Sequence, residues 1–380
     1  MMVLSPVKKL LRASLKPLFP SIILWLLLFA PAEAAIALRV ALKEDVKQVA
    51  VGSSTSAVIK DAAGRSLGEV KGMSSLRAVS RQGNVQLGQW SGRQLSIDPQ
   101  EDGYVWIGDR WYRGETLLIH DGSDLTVVNK VELEDYLYSV VGGEMPTSWP
   151  LEALKAQAVA ARSYALYERD RAQNPYYDLK STTASQVYKG IVSETASTHE
   201  AVNRTQGQVL TYQGKVILAA FHSSSGGYTE NVEDVWTRPL PYLRSVVDYD
   251  QTAPVYQWQK ALSGREIGYR LGVGTVRSLI PQQATPQGRI IRLKVVGDRG
   301  TKTISGKAFR SALDLRSTLF QVSGNSQRFI ISGRGFGHGI GLSQWGANYL
   351  ASQGANYRQI LGHYYRNVQL SLISTDVARN

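Results

Sequence analysis

Not one of the 380 residues is a cysteine. Disulfides, thiol nucleophiles and cysteine-ligated metals are excluded at once. Histidine is almost as scarce. The five copies (His120, His199, His222, His338 and His363) are scattered, and no two stand at the i, i+3 or i+4 spacing of a helical metal pair. There is no HExxH and no Walker A sequence, and "HSSSGG" is not G-x-S-x-G. The sole S-x-x-K, Ser5 to Lys8, lies at the extreme N-terminus, which argues against a penicillin-binding-type serine. Internal repeats and low-complexity linkers are also missing. The apolar run "SIILWLLLFA", residues 21–30, is shorter than the roughly 20 residues that a membrane span needs.

That run does fit an export leader. Lys8, Lys9, Arg12 and Lys16 form a basic segment ahead of it, and Ala32-Glu33-Ala34 offers a small-x-small cleavage site. Residues 1–34 are therefore expected to be a signal peptide, with an uncleaved N-terminal anchor as the alternative; either way the body is exported, to a periplasm or cell wall. Hydrophobic residues make up 43% and charged residues 19% of the chain, a balance suited to a globular protein. Forty-three basic residues against 31 acidic ones give a net charge of +12. Without residues 1–34, which carry four basic residues and Glu33, the charge is +9. Such an exported chain suits an anionic wall or headgroup surface, and the leader argues against nucleic acid.

Residues 36–130 read as short strands such as "QVAVG", "YVWIG" and "LTVVNKV", separated by turns containing Gly, Asp or Asn. The expected division is a β-rich region over 35–130, a core over 131–370 and a tail over 371–380. With strands not organised into βαβ units, the fold class is α+β. A helix begins after Pro150, where Leu151, Leu154, Ala158, Ala161 and Ala165 make one apolar stripe, and its alanines admit a neighbouring backbone. "SQVYKGI", "GQVLTYQGKVILAAFHSSSGG" and "IIRLKVVGD" return to strands and loops, and two short helices, 343–352 and 356–365, close the core.

Glu144 stands out. Gly142 and Gly143 precede it and Met145-Pro146 follows, which places it at an expected strand-to-helix junction with no second acid at a fixed distance. A helix N-terminal acid stabilised by the macrodipole is the plain alternative. Lys155 and Arg162, seven apart, share a helix face and either point toward Glu144 or are simply solvated. In "FHSSSGGYTENVEDVW", His222, Ser225, Thr229 and Glu230 are suited to sugar hydroxyls, or to one another. In "GRGFGHGIG" the glycines alternate from Gly333 to Gly341. An extended backbone would give one bare face, with Arg334, Phe336 and His338 opposite; packing against the alanine-rich helix is the other reading.

Four blocks, "LEDYLYSVVGGEMPTSWPLEALKAQAVAARSYAL", "SQVYKG", "FHSSSGGYTENVEDVW" and "GRGFGHGIGLSQWGANYLASQG", together resemble the SpoIID/LytB family across roughly residues 110–370. The resemblance implies a peptidoglycan lytic transglycosylase, which cleaves between N-acetylmuramic acid and N-acetylglucosamine and leaves a 1,6-anhydro end. The catalytic acid of the family's E-M-P motif falls on Glu144. Lys155, Arg162, His222, Ser225, Arg334, His338 and Gln344 are the candidate substrate-binding residues. A hydrolase needs two carboxylates, whereas a lytic transglycosylase uses the sugar's own C6 hydroxyl as nucleophile, so one carboxyl group can serve as acid and then as base. That reaction calls for no cofactor and no metal. Some family members carry cysteine and histidine around the "HSSSGG" block; here only His222 remains of such a set. The partners implied are peptidoglycan glycan strands. A non-catalytic wall-binding protein that assists a cell-wall amidase is the alternative, and a hydrolase pairing Glu144 with Glu230, Glu233 or Asp234 is a third.

If the basic charge draws the chain to an anionic wall, binding to purified sacculi should weaken between low and physiological ionic strength. A co-sedimentation isotherm that is flat in salt would instead assign the affinity to shape and hydrogen bonding.

Overall fold

The computed structural model describes residues 36–373, apart from 123, 184 and 237. The expected leader and the tail beyond residue 373 lie outside the described residues. Among the described residues, no helix is long and apolar enough to cross a membrane.

The fold is α+β. Its first part is two sheets built from strands within residues 37–132 and antiparallel throughout, except that strand 179–180 adds in parallel to the edge of one. In one sheet the strand order is 179–180, 37–46, 125–132, 115–120, 94–99, 57–61 and 66–70. In the other it is 110–112, 105–107, 48–53, 75–81, 84–87 and 90–92. Alternation along these strands buries Val49, Val51, Leu95, Ile97, Val105 and Ile107. The expected division at residue 130 is not a division of the core. Strand Leu125–Glu132 pairs with Ala37–Val46 and runs directly into a helix, and one apolar cluster continues from Leu38 to Tyr365.

That helix, α1 (Leu133–Glu144), replaces the expected strand before Glu144. Leu133, Tyr136, Leu137, Val140 and Val141 are buried and recur at i, i+3, i+4, i+7 and i+8, the helical period. Glu134 and Asp135 sit in its first turn, where the dipole favours acids. It stops because Met145, which precedes Pro146, is held extended at φ −125°, ψ 149°. Glu144 is thus the last residue of a helix, and the N-terminal-acid alternative does not apply to it.

α2 (Leu151–Arg169) starts after Pro150, as expected, although Pro150 itself and not Ser148 or Trp149 takes the cap position. It is buried on nearly every side: Ala156, Ala158, Ala160, Ala161 and Ala165 have no exposed surface. The remaining helices are α3 (Ala196–Asn203), α4 (Val232–Val235), α5 (Gly264–Leu271), α6 (Gly306–Ala312), α7 (Gln344–Ser352) and α8 (Tyr357–Tyr364). α1, α3, α7, α8 and strand Gln208–Tyr212 pack around α2. Ser343 and Asn356 cap α7 and α8. "SQVYKGI" is not a strand but a loop ending in a 3-10 turn, Gly190–Ser193.

A second, separate core lies within residues 262–331. Leu262, Ile267, Val276, Leu293, Val295, Phe309, Phe320, Phe329 and Ile331 fill it. Two three-stranded sheets (257–262, 328–334, 320–325; and 276–284, 290–297, 300–305) and helices α5 and α6 enclose it.

Arg162 ties the first core together. It is fully buried, and its Nε and Nη2 reach the two carboxylate oxygens of Glu134 at 2.8 and 2.6 Å, while Nη1 donates to the Gln208 carbonyl at 3.1 Å. Removing one partner of such a pair leaves the other charge uncompensated. Arg162→Ala should therefore lower unfolding stability by about 3–5 kcal/mol. Arg162→Lys should recover little, because an ammonium cannot form the fork. Urea melts of the three chains check this; a loss near that of an exposed substitution would contradict it.

Candidate active site

The end of α1 meets the loop 186–193 backbone to backbone. A Cβ on Gly142 would stand 1.9 Å from the Ser193 carbonyl oxygen, and one on Gly143 would stand 2.5 Å from that of Val187. Only glycine permits this approach at either position. The loop is then pinned. Ser193 Oγ donates to the Ser139 carbonyl at 2.9 Å, Tyr136 Oη donates to Gln186 at 3.1 Å, and Tyr188 Oη donates to buried Asn129 at 2.7 Å.

Docked this way, the Val187 N–H donates to Oε1 of Glu144 at 2.7 Å. On the other oxygen, Gln344 at the start of α7 approaches Oε2 with its Nε2 at 3.4 Å. Burial raises the carboxyl pKa above its ordinary range; these two hydrogen bonds and the Lys189 ammonium act against that rise. The C-terminal end of a helix adds to it, since the dipole there carries partial negative charge. Trp149 and Trp345 meet edge to face at 4.8 Å between the segment after Glu144 and the helix that carries Gln344.

The segments carrying His222 and Gln344 are joined. Phe221-His222 pairs in parallel with Leu342-Ser343, and the Trp345 N–H donates to the Ser223 carbonyl. The rings of His222 and His338 lie 5.3 Å apart, and Trp236 stands 5.2 Å from His338. Burial holds His222 well below its usual range and brings His338 down to about 3, with Arg289 adding to the effect, so both rings are neutral at physiological pH. His222 Nδ1 faces the Ile340 carbonyl at 3.1 Å and must donate to it, which leaves Nε2 as a buried acceptor with no hydrogen-bond partner among the described residues.

This site sits in a chain with clear relatives. The family described as Stage II sporulation protein matches residues 121–212, and a domain of unknown function matches residues 250–341. The chain is 38% identical over 262 residues to Stage II sporulation protein D of Bacillus amyloliquefaciens, covering 64% of this chain and 75% of that one. The Bacillus subtilis protein of the same name is 36% identical over 262 residues, covering 64% and 76%. The amidase enhancer of Bacillus subtilis is 32% identical over 292 residues, covering 62% of this chain but 40% of that protein.

The chain belongs to the SpoIID family.

In this SpoIID-family chain the candidate residues divide into groups. Glu144 and Gln344 come together, as do His222 and His338. Ser225 is buried beneath its loop, where its Oγ donates to Asp248 at 2.5 Å. Arg162 has no exposed surface and is committed to Glu134. Lys155 pairs with Glu152 at 2.7 Å and lies 4.4 Å from the centre of the Tyr357 ring, so it braces α2 against α8. Arg334 ends strand 328–334 on an exposed surface of the second core. The glycine-alternating segment is not extended. Gly335, Gly337, Gly339 and Gly341 all take positive φ, from 70° to 120°, and they pack against Ser224, His222, Arg289 and Ala220 rather than against α2.

None of the acids considered as a second carboxylate contacts Glu144. Glu230 is buried beside Arg289, with burial pushing it up to about 7 and the guanidinium down to about 10, and it accepts a hydrogen bond from Thr285 at 2.9 Å. Glu233 holds Arg244, and Asp234 accepts from Asn231. A zinc-type donor set does not assemble at His222: among the described residues no group of three His, Cys, Asp or Glu is placed to hold a metal, and His338 already accepts the Ile340 N–H. Sequence reasoning missed Val187 and Lys189. Both lie in the quoted "SQVYKG" block, but Val187 acts through a backbone N–H, which side-chain chemistry does not advertise, and Lys189 acts through its charge from a loop distant in sequence.

A raised carboxyl pKa has a consequence for stability. The folded state binds the proton more tightly than the unfolded chain, so ionising Glu144 costs stability as pH rises past the unfolded value of about 4.3. Glu144→Gln should therefore be more stable than the parent at pH 7, and the difference should vanish as pH falls below that unfolded value. Thermal melts across this window that show the variant less stable at pH 7 would mean that the carboxylate holds the fold.

Proposed function

We propose that this chain is a peptidoglycan lytic transglycosylase of the cell envelope, with Glu144 as its single general acid and base. The observation that carries the reading is Glu144 itself. It is a shielded carboxyl held on one oxygen by a backbone N–H, with its pKa raised and no second carboxylate among the described residues in contact with it.

The Val187 N–H occupies Oε1, so the transferable proton sits on Oε2, beside Gln344. In the proposed reaction Glu144 gives that proton to the glycosidic oxygen as the bond to the muramic C1 breaks. The C6 hydroxyl of the same sugar then bonds to C1, and its proton returns to Glu144. No water is consumed, and the acid ends in its starting state. The raised pKa serves the first half-step, because a carboxyl already ionised has no proton to give. Lys189 is exposed and near enough to act electrostatically on Glu144, and in this reading its ammonium would pair with the lactyl or stem-peptide carboxylate of the sugar.

The printed name of one relative, amidase enhancer, supports a second reading in which the chain binds the wall and assists an amidase without cleaving glycan. Product analysis separates the two. The parent chain acting on purified sacculi should release 1,6-anhydro-muramic ends, and Glu144→Gln should lose about 10²–10⁴-fold of that activity while still binding. Reducing ends would indicate a hydrolase. Absence of cleavage by the parent, or equal cleavage by the variant, would remove Glu144 from the chemistry.

A further inference from the structure

The surface of the second core carries a site that the reaction at Glu144 does not use. Strands 257–262, 328–334 and 320–325 lie side by side, and their register aligns Gln257 with Arg334 and Gln259 with Ser332 and Gln321. Side chains alternate across a sheet, so these five project from one face. Gln257, Gln259, Gln321, Ser332 and Arg334 are all exposed, while Trp258 and Phe320, one residue along, point to the other face. A groove of ≈ 750 Å³ runs over this face, and Gln287 and Gly288 close one side of it.

The chemistry of the groove is narrow. Its polar lining is four glutamines and one serine, and it carries a single charge, Arg334. Apart from one bond from Gln259 to Ser332 at 3.1 Å, and one from Gln287 to Ser245 at 3.3 Å, these groups are free. The side chains of Gln257, Gln321 and Arg334 make no hydrogen bond or ion pair among the described residues. A carboxamide both donates and accepts, which matches sugar hydroxyls and acetamido groups, and a free guanidinium matches a carboxylate. The groove offers no deep apolar pocket for a peptide side chain, and its one charge is too little for a polyanion. The edge strand, at Gln257, Trp258 and Gln259, borders both this groove and a neighbouring depression of ≈ 320 Å³. On the opposite face of the sheet the Trp258 indole N–H donates to the Gly335 carbonyl at 3.0 Å, and its ring lies over Gly333, where a Cβ would fall 2.2 Å from it.

We infer that this sheet face is a second glycan-binding site, taking a strand of N-acetylated amino sugars that bear carboxylates. The identification of that strand with peptidoglycan glycan rests on the function proposed above; the site itself does not.

The test uses the full chain in the Glu144→Gln background, so that glycan is not consumed. Gln257→Ala/Gln321→Ala/Arg334→Gln should weaken binding of peptide-free glycan oligosaccharides by at least about tenfold, or 1.4 kcal/mol, in isothermal titration. Its thermal midpoint should stay near the parent's, since exposed substitutions seldom shift stability by more than about 0.5 kcal/mol. Neutral N-acetylglucosamine tetramer should bind the parent more weakly than the carboxylated strand does. Affinity of the triple variant within about twofold of the parent overturns the site, as does binding of isolated stem peptide that the triple variant abolishes. Anhydro-product analysis of the chain with Glu144 intact is run in parallel. It reads the catalytic proposal alone, so either reading can fail without the other.

Discussion

The candidate site depends on one close approach, that of the last turn of α1 to the backbone of residues 186–193. With a side chain at 142 that loop would be pushed away by more than an ångström, and with one at 143 by at least about half an ångström, since the contacts to be relieved stand at 1.9 and 2.5 Å. Everything distinctive about Glu144 follows from the seating. The loop supplies the N–H that fixes Oε1 and carries Lys189, whose charge acts on the carboxyl. Gly142 and Gly143 are poor helix residues, costing roughly 1 kcal/mol each against alanine. The helix tolerates them at its end because what they admit is a neighbouring backbone whose polar groups are satisfied locally: the Lys189 N–H donates to Ser139 Oγ, and the Gly190 carbonyl accepts from Ser193 Oγ.

Holding an acid in this way works against folding, and the surrounding frame offsets that cost. α2 is buried almost all round, and its alanines let α1, α3, α7 and α8 close on it at short range. The Arg162–Glu134 fork fixes α1 to α2 near the end of α1 remote from Glu144. Rigidity in the frame is what keeps the Val187 N–H at hydrogen-bond distance, and a general acid is useful only if its proton is aimed.

Much of this was legible in the sequence, and the failures have specific causes. The start of α2 was readable from Pro150 and the apolar stripe, and the caps of α7 and α8 from Ser343 and Asn356. The residues before Glu144 read as a strand because Tyr136, Tyr138, Val140 and Val141 favour strands and 136, 138 and 140 alternate, although the buried set Leu133, Tyr136, Leu137, Val140 and Val141 has helical spacing. The glycines from 335 to 341 looked like an alternating strand, yet period two is also what alternate left-handed φ values produce when every second residue is glycine. Lys155 and Arg162 were rightly placed on the same helix, but spacing cannot distinguish a residue facing a cleft from one facing a partner acid. The second core was hidden because its strands are polar on their outer side, and their apolar residues make one cluster only after pairing.

The same glycine segment connects the two places where glycan chemistry is proposed. Arg334, at the end of its strand, is ten residues before Gln344, which touches Glu144. Ten residues span on the order of 35 Å when fully extended, and the left-handed glycines keep this stretch well short of that. The connection is also stiff. At Gly335, Gly337, Gly339 and Gly341 a Cβ would meet Ser224, His222, Arg289 or Ala220 at 2.0 to 2.7 Å, so the backbone lies pressed on the neutral histidines and the buried Arg289–Glu230 pair. A mobile linker would let the two sites bind glycan independently. A packed one fixes their separation. The buried ion pair and the neutral imidazoles then have a physical task that requires neither to touch the sugar: they hold the segment that joins the two places.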